Sequence, residues 1–565
     1  MYGSAPDAPE LSPASDVSVV DPADVANDVY DDDGDAVRLL QHHHGHRGNH
    51  GSGRAASSGG LGFDGVVVVD GYEVGSLGSE PQGLLWGHPR GLYVLCATEL
   101  WERYSYYAMR SLLVLFMRDA LLARGAWRSV AGMPALAGLY GAPDDGADDE
   151  TRDEQVLALA SRVYGLYTAL VYFTPTFGGY LADGCFGPHL MIVAGAILMG
   201  LGHGFLALRP AFLVGMGLIV LGNGCFKPNI STRVGSLYAP RDSRRDAAFS
   251  MFYCGINVGA MLAPLVAGSL RMSLGYEAGF GSAAVGMAAC LATYLGFQWV
   301  VRDDLARRRR AGFRERGGAR GEEGDEVEEV DEVEDAGGGG KPNGDLDVLA
   351  VVARHRARVV AILCVCVMSS GFWAVYEQQG NTTALFADER VDRGGMPTEF
   401  VQAVNPFMIL ALTPLMTRLW EWQARRGSEP TQITKMGIGA GLLSASYFLL
   451  AAASAAAASR GEKMGGGWLV IHLTLLTAGE LYLSPVGLSF MTVAAPRELV
   501  SMMMGVWFLA SFLGNYLSGE LGALYAYVEA PNFFALMAVI SAGVSVVMLA
   551  ASKPLMRLLD PSRQE

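Results

Sequence analysis

Charged side chains are scarce in this sequence. Only 18% of the 565 residues are Asp, Glu, Lys or Arg, against about 25% in an average soluble domain. Apolar residues make up 51% of the chain, and they collect in blocks of roughly 20 residues, the length that crosses a hydrocarbon core of about 30 Å. The composition therefore excludes a soluble enzyme and predicts a protein that spans a membrane many times.

Other absences narrow the function further. The seven cysteines show no framework spacing, which argues against a disulfide scaffold and favours apolar packing. No basic segment followed by an apolar one opens the chain, so we expect no cleaved signal peptide. We find no metal-ligand set, nucleophile triad or phosphate loop, and we expect no enzyme activity, no cofactor and no nucleic-acid partner. The histidine cluster at residues 42–50 could bind a metal weakly, but a solvated low-complexity tail is the favoured interpretation.

The apolar blocks form two sets on either side of a polar segment. Residues 1–85 are rich in Gly, Ser and Asp, which predicts a disordered cytoplasmic tail. Six apolar segments occupy residues 88–300, a polar linker covers 301–350, six more segments occupy 351–555, and a short tail covers 556–565. Two sets of six around a hydrophilic linker are typical of the major facilitator fold. We predict an all-α polytopic membrane protein with about twelve transmembrane helices in two six-helix bundles.

Basic residues are concentrated in the loops on one side of the predicted membrane. The linker contributes the run Arg307 to Arg310 to that side. This bias is the positive-inside pattern, and it places both termini and the linker in the cytoplasm. We expect a multi-pass integral membrane protein of the plasma membrane.

Ionisable residues inside the apolar blocks are the strongest functional signal. A charge near the centre of a membrane helix costs about 2.5–3.5 kcal/mol on insertion scales, so such residues face the protein interior and are functional candidates. In the first block, Glu99, Glu102 and Arg103 lie three and four residues apart and share one helical face. Two carboxylates beside one arginine can hold a proton at little cost. The cluster predicts a proton site, although a static buried ion pair is the alternative.

The two halves of the chain supply charges of opposite sign. The first half offers two cations, Arg110 and Lys227, and the second offers two anions, Glu377 and Glu480. Lys227 lies in a Gly-rich stretch beside Pro228, which predicts a broken helix. A cavity with cations on one wall and anions on the other suits a zwitterion such as a peptide.

Seven motifs, in order from His88 to Leu555, strongly resemble those of the proton-coupled oligopeptide transporter family, also called the POT or PTR family, of the major facilitator superfamily. They are Glu99-Leu-Trp-Glu-Arg-Tyr-Ser-Tyr-Tyr107, Phe226-Lys-Pro-Asn229, Phe252-Tyr-Cys-Gly-Ile-Asn-Val-Gly259, Phe372-Trp373 with Glu377-Gln378, Asn405-Pro406, Gly479-Glu-Leu with Ser484-Pro485, and Gly505-Val-Trp507. The resemblance implies symport of di- and tripeptides with protons, by alternating access, in a lipid bilayer. It implies protons as the coupling ion, no other cofactor and a functional monomer.

The resemblance also implies a role for each matching residue. Proton coupling falls to Glu99, Glu102, Arg103 and Glu377, and Glu377 would pair with Arg110 when it is deprotonated. Arg110 and Lys227 would receive the peptide carboxylate, and Glu480 would receive the amino terminus. The pocket would be lined by Tyr106, Tyr107, Tyr172, Asn257, Trp373, Asn405 and Trp507, for which packing beside a cavity is the alternative, and Asp183 would serve a cytoplasmic gate.

Two positions depart from the family pattern. Gly165 stands where animal members carry a histidine, which shifts proton coupling to the carboxylates. Gly184 stands where arginine is usual, so we expect a weaker gate contact at Asp183. The large extracellular domain of animal members and the two extra linker helices of many bacterial members are absent.

Two alternative functions remain. One is a carrier of nitrate or another small anion in the same family, and the other is a membrane sensor that transports nothing.

Overall fold

A computed structural model of the chain describes residues 84–559, apart from 145, 240–241, 318–347 and 497–498, together with two short strands nearer the amino terminus. The histidine cluster and most of the predicted tail lie outside the described residues. The α-helices are α1 (Arg90–Phe116), α2 (Met133–Tyr140), α3 (Asp149–Phe173), α4 (Pro175–Leu181), α5 (Gly187–Leu206), α6 (Phe212–Ser236), α7 (Arg245–Leu274), α8 (Tyr276–Gly296), α9 (Gln298–Gly317), α10 (Val348–Arg354), α11 (Arg356–Tyr376), α12 (Thr382–Arg390), α13 (Val404–Arg425), α14 (Gln432–Ser459), α15 (Gly466–Ala494), α16 (Val500–Ala523) and α17 (Ala530–Leu559).

The strands are short and form three two-stranded pairs. The pairs are antiparallel β1 (Val67–Val69) with β2 (Tyr72–Val74), antiparallel β3 (Leu84–Leu85) with β4 (His88–Pro89), and parallel β5 (Val391–Asp392) with β6 (Met464–Gly465). The first pair belongs to a separate compact unit, residues 1–78.

Each predicted apolar segment coincides with helix in the structure. Nine helical stretches among the described residues are long and apolar enough to cross a membrane, and one of them, Asp149–Leu206, contains two of the predicted segments. Helices α1 and α16, which match two further segments, fall outside the nine. The structure therefore shows a polytopic helical protein, while the count of twelve spans stays a prediction.

Close glycine contacts hold α5 and α6 together. A Cβ atom on Gly195 would lie 2.6 Å from the carbonyl oxygen of Gly222, and one on Gly222 would lie 2.7 Å from the carbonyl oxygen of Gly195. Gly202 and Gly215 approach one another in the same way, at 2.7 Å in both directions. Small residues that let backbones touch are the usual packing device of membrane helices, since lipid provides little hydrophobic force between them.

The two halves pack internally and meet along two seams. In the first half α1 packs on α7 and α8, and α5 on α6 and α8; in the second, α14 packs on α15 and α17, and α11 on α16 and α17. The seams between the halves run along α3 with α16 and along α7 with α13. At the first seam a Cβ on Gly519 would lie 2.9 Å from the Cα of Gly165, so these two backbones touch.

Ion pairs join the halves at the end of the molecule where α1 ends, which is the predicted outer end. Arg118 lies 2.6 Å from Asp388 and 2.9 Å from Glu389. Nearby pairs across the two seams are Arg271 with Glu399 at 2.5 Å and Arg162 with Glu520 at 3.1 Å. At the opposite end of the first half, Phe177 and Tyr180 on α4 are 54% and 80% exposed. Ion pairs therefore hold the two halves together at the end where α1 ends.

One local expectation was wrong. Helix α6 continues through Pro228 rather than breaking there, and the side-chain amide of Asn229 donates to the carbonyl oxygen of Cys225 at 2.7 Å in this stretch. The first part of the predicted polar linker is helical, since α9 extends to Gly317. Asp304 of α9 accepts the backbone N–H of Gly91 at 2.6 Å and so caps α1 from another helix.

Candidate functional site

A central cavity of about 310 Å³ lies between the halves. This volume is at the lower end of the range for small-molecule sites, about 300–1,000 Å³. Every predicted site residue except Glu102 and Asp183 is in its wall. These residues are Glu99, Arg103, Tyr106, Tyr107, Arg110, Tyr172, Lys227, Asn257, Trp373, Glu377, Asn405, Glu480 and Trp507.

The two remaining predicted residues lie elsewhere. Glu102 is buried behind the wall, at 1% exposure, and contacts Arg103. Asp183 is exposed in a π-helical turn, Ala182–Phe186, that follows α4. Gly184 beside it has no atom within 4 Å of the position that a Cβ would take. The structure does not bring Asp183 to the cavity, and its role at a gate stays a prediction.

The acidic cluster on α1 is asymmetric. Arg103 donates to both oxygens of Glu102, from Nε at 2.5 Å and from Nη2 at 2.7 Å. Its Nε lies farther from Glu99 Oε1, at 3.3 Å. The other oxygen of Glu99, Oε2, is buried and has no hydrogen-bond partner among the described residues. Both oxygens of Glu102 thus accept hydrogen bonds from Arg103, whereas Glu99 has one oxygen that is available to bind a proton.

Arg110 joins the two halves at the centre of the cavity. Its Nη2 contacts Oε2 of Glu377, and its Nε donates to the hydroxyl of Tyr164 on α3 at 2.8 Å. Glu377 begins a 3-10 turn, Glu377–Gly380, that interrupts the helix after α11. The interruption places Glu377 where the chain turns against α1, so the structure brings together the two residues that the resemblance pairs.

Lys227 and Glu480 are the other two charged residues of the cavity wall. The Nζ of Lys227 lies 5.2 Å from the ring centre of Tyr172, in cation–π geometry. Glu480 accepts a hydrogen bond from the side-chain amide of Asn405 at 3.0 Å. Among the described residues, neither Lys227 nor Glu480 forms an ion pair, so each can meet a charged group of a ligand.

The neutral residues of the wall are held by their own contacts. The Asn405 amide nitrogen also lies 2.9 Å from Thr477 Oγ1 and 3.3 Å from the Tyr376 hydroxyl. Asn257 donates to the backbone oxygen of Tyr253 at 2.9 Å. The Trp507 ring packs against Gly487, where a Cβ would overlap it. These contacts fix the shape of the cavity before any ligand enters.

Several residues of the site escaped the sequence analysis. They are Tyr164, Tyr253, Tyr376, Gln379, Gln402 and Phe508. Most stand within a turn of a recognised motif residue, and a polar side chain in an apolar segment was the available signal. No sequence motif marked Tyr164, because its role depends on contact with Arg110, which is 54 positions away.

A membrane protein with two helical halves and a charged cavity between them is a secondary transporter in architecture. The sequence model of the POT family (PTR2) matches residues 189–304 and 350–537. The peptide transporter YePEPT of Yersinia enterocolitica is 31% identical, over 84% of this chain and 96% of the relative. A di-/tripeptide transporter of Lactococcus lactis is 30% identical, over 85% of this chain and 98% of the relative.

Solved structures give the same result. A mutant of the peptide transporter POT in complex with sulfate matches with a TM-score of 0.66 and 30% identity, over 85% of this chain and 97% of that one. The same kind of mutant in complex with alafosfalin matches with a TM-score of 0.65 and 30% identity, over 85% of this chain and 97% of that one. The chain belongs to the POT family, and the predicted family and major facilitator fold are confirmed.

Proposed function

We propose that the protein carries di- and tripeptides across the membrane together with protons, by alternating access. The observation that carries the proposal is the pair of unlike charges, Lys227 and Glu480, that face one cavity from different halves and form no ion pair with any residue that the structure describes. A peptide is a zwitterion whose two ends match these charges. The curated relatives are named as peptide transporters, and one structural neighbour of 25% identity holds a thioalcohol-conjugated peptide.

Glu377 is the residue at which proton binding would change the cavity most. While it is ionised, it occupies Arg110. A proton on Glu377 removes the negative charge and releases the guanidinium toward the cavity, where a peptide carboxylate can replace the glutamate. Glu99, with one oxygen that no donor satisfies, is the second proton site. In this scheme Glu102 holds Arg103 in place.

The proton gradient supplies enough work for accumulation. One proton that enters down about 100 mV yields roughly 2.3 kcal/mol, and one pH unit adds about 1.4 kcal/mol. Their sum, about 3.7 kcal/mol, supports accumulation of a neutral peptide by several hundred fold. One proton per peptide is sufficient, and a monomer in the plasma membrane with cytoplasmic termini is the simplest unit that the proposal requires.

The test is uptake of labelled dialanine into proteoliposomes. We expect uptake to rise with an inward proton gradient, and excess nitrate to leave it unchanged. Glu377→Gln should abolish the response to the gradient but preserve exchange of labelled for unlabelled peptide. Uptake of nitrate with no uptake of dialanine would overturn the proposal in favour of an anion carrier, and binding without transport would favour a sensor.

A further inference from the structure

Tyr164 occupies the meeting point of three parts of the molecule. It lies on α3, is fully buried, and its hydroxyl accepts the Arg110 Nε–H at 2.8 Å. A Cβ built on Gly380, at the end of the 3-10 turn that starts with Glu377, would overlap this hydroxyl. The same Cβ would lie 3.2–3.3 Å from the Arg110 guanidinium nitrogens. The hydroxyl therefore sits between Arg110 on one side and the bare backbone of Gly380 on the other.

The part of α3 that carries Tyr164 is fixed against the second half. Ser161, three residues earlier, donates to the side-chain oxygen of Asn381 at 3.1 Å. Gly165, the next residue, touches the backbone of Gly519. With contacts on both sides, Tyr164 has a defined position that does not depend on the charge of Glu377.

Arg110 consequently has two anchors of different kinds. Glu377 holds Nη2 through its charge, which protonation removes, whereas Tyr164 holds Nε through a neutral hydroxyl. Without a second anchor, an arginine released by Glu377 could adopt many rotamers, and ordering it again would weaken ligand binding. With Nε held, the two terminal nitrogens keep their direction.

We propose that Tyr164 is a positioning residue for the substrate carboxylate, and that Gly380 is glycine to admit its hydroxyl. Tyr164 fixes Arg110 so that the guanidinium presents its terminal nitrogens to a peptide carboxylate once protonation of Glu377 has broken its ion pair with Arg110. The inference deepens the proposed function and rests on it. The ligand group concerned is the carboxylate alone, so only ligands that carry one should be affected.

Tyr164→Phe tests the proposal, with Tyr167→Phe as the matched control. Tyr167 is also buried on α3, at 2% exposure, but its hydroxyl has no hydrogen-bond partner among the described residues. The measurement is uptake of labelled dialanine, with dialanine and dialanine amide as competitors. We expect Tyr164→Phe to raise the KM for dialanine about tenfold, the scale of one hydrogen bond to a charged group. The maximal rate, the inhibition constant of the amide and all values of the Tyr167→Phe protein should stay unchanged.

Two results would overturn the proposal. One is an unchanged KM for dialanine in Tyr164→Phe, and the other is an equal loss for dialanine and its amide, which would indicate general damage to the cavity. Failure of the parent protein to transport or bind dialanine would instead refute the proposed function, so the two failures are distinguishable.

Gly380→Ala provides a second test, which can be carried out even if the Tyr164→Phe protein folds poorly. The added methyl group should displace the Tyr164 hydroxyl and raise the KM for dialanine. In the double variant with Tyr164→Phe, the hydroxyl that the methyl meets is absent, so Gly380→Ala should cost several-fold less than it does alone. Additive losses would contradict the assigned contact, since independent sites add.

Discussion

At the residue scale, the motifs predicted which side chains line the cavity but not how they divide its hydrogen bonds. Thirteen of the predicted residues are in its wall because each motif places a polar group on the inner face of an apolar helix. The asymmetry between Glu99 and Glu102 could not be predicted, since Glu99 has the i,i+4 spacing that favours contact with Arg103 on a helix, whereas Glu102 is its direct neighbour in sequence. Only side-chain packing decides which carboxylate takes both nitrogens.

Glu480 should be needed for the amino terminus of the peptide and for nothing else. Glu480→Gln keeps the size of the side chain and an acceptor near Asn405 but removes the charge. We expect the KM for dialanine to rise about ten- to a hundredfold, from the loss of a charge-assisted hydrogen bond of about 1.5–3 kcal/mol. Competition by N-acetyl-dialanine, which lacks the ammonium, should be unchanged.

Glu421→Gln is the control for this prediction. Glu421 is exposed on α13 and pairs at 3.7 Å with Arg425 on the same helix, away from the cavity wall. Equal losses for dialanine and its acetylated form in Glu480→Gln would assign Glu480 a structural role instead.

At the element scale, the length and spacing of the apolar segments predicted where the helices lie, but they did not predict where those helices are interrupted. The 3-10 turn at Glu377–Gly380 carries no proline, so no local signal marks it, while Pro228 lies inside an unbroken helix. Two glycines on α5, at 195 and 202, are seven residues apart, and so are two on α6, at 215 and 222. Only the fold shows that the two pairs face each other.

Gly222→Ala should destabilise the packing of α5 on α6. The new methyl group would lie 2.7 Å from the Gly195 carbonyl oxygen and 2.7 Å from the side chain of Met199. Overpacking of this kind costs about 1–3 kcal/mol, so we expect a lower melting temperature in detergent. Gly217→Ala, on the same helix with no atom within 4 Å of its Cβ position, should melt like the parent protein. Equal melting of both variants would show that α5 and α6 adjust freely.

At the scale of the whole molecule, the sequence predicted two bundles but not at which end ion pairs hold them together. That state depends on ion pairs between residues more than 100 positions apart, such as Arg118 with Asp388 and Arg271 with Glu399. Their pairing is a property of one conformation, so composition and motifs carry no information about it.

Arg118→Gln should shift the population toward opening at the outer end. It removes contacts to Asp388 and Glu389, each worth up to about 1 kcal/mol at a partly exposed site, which corresponds to a several-fold change in population. Spin labels at the exposed positions Leu139 and Lys463, with the native cysteines replaced, would report a longer distance component. Arg460→Gln, which breaks a pair with Glu462 inside one loop, should leave the distances unchanged. A distribution unaffected by Arg118→Gln would show that other contacts hold this end shut.

The contact of Gly165 with Gly519 leaves part of one seam between the halves without interlocking side chains. Interlocking side chains would have to change rotamer whenever one half tilts on the other, and each change would add to the barrier of the cycle. The two backbones that touch at Gly165 and Gly519 carry no side chain that would have to change rotamer if the angle between α3 and α16 altered. A bulkier residue at either position would push α3 away from α16 and would slow turnover at every substrate concentration.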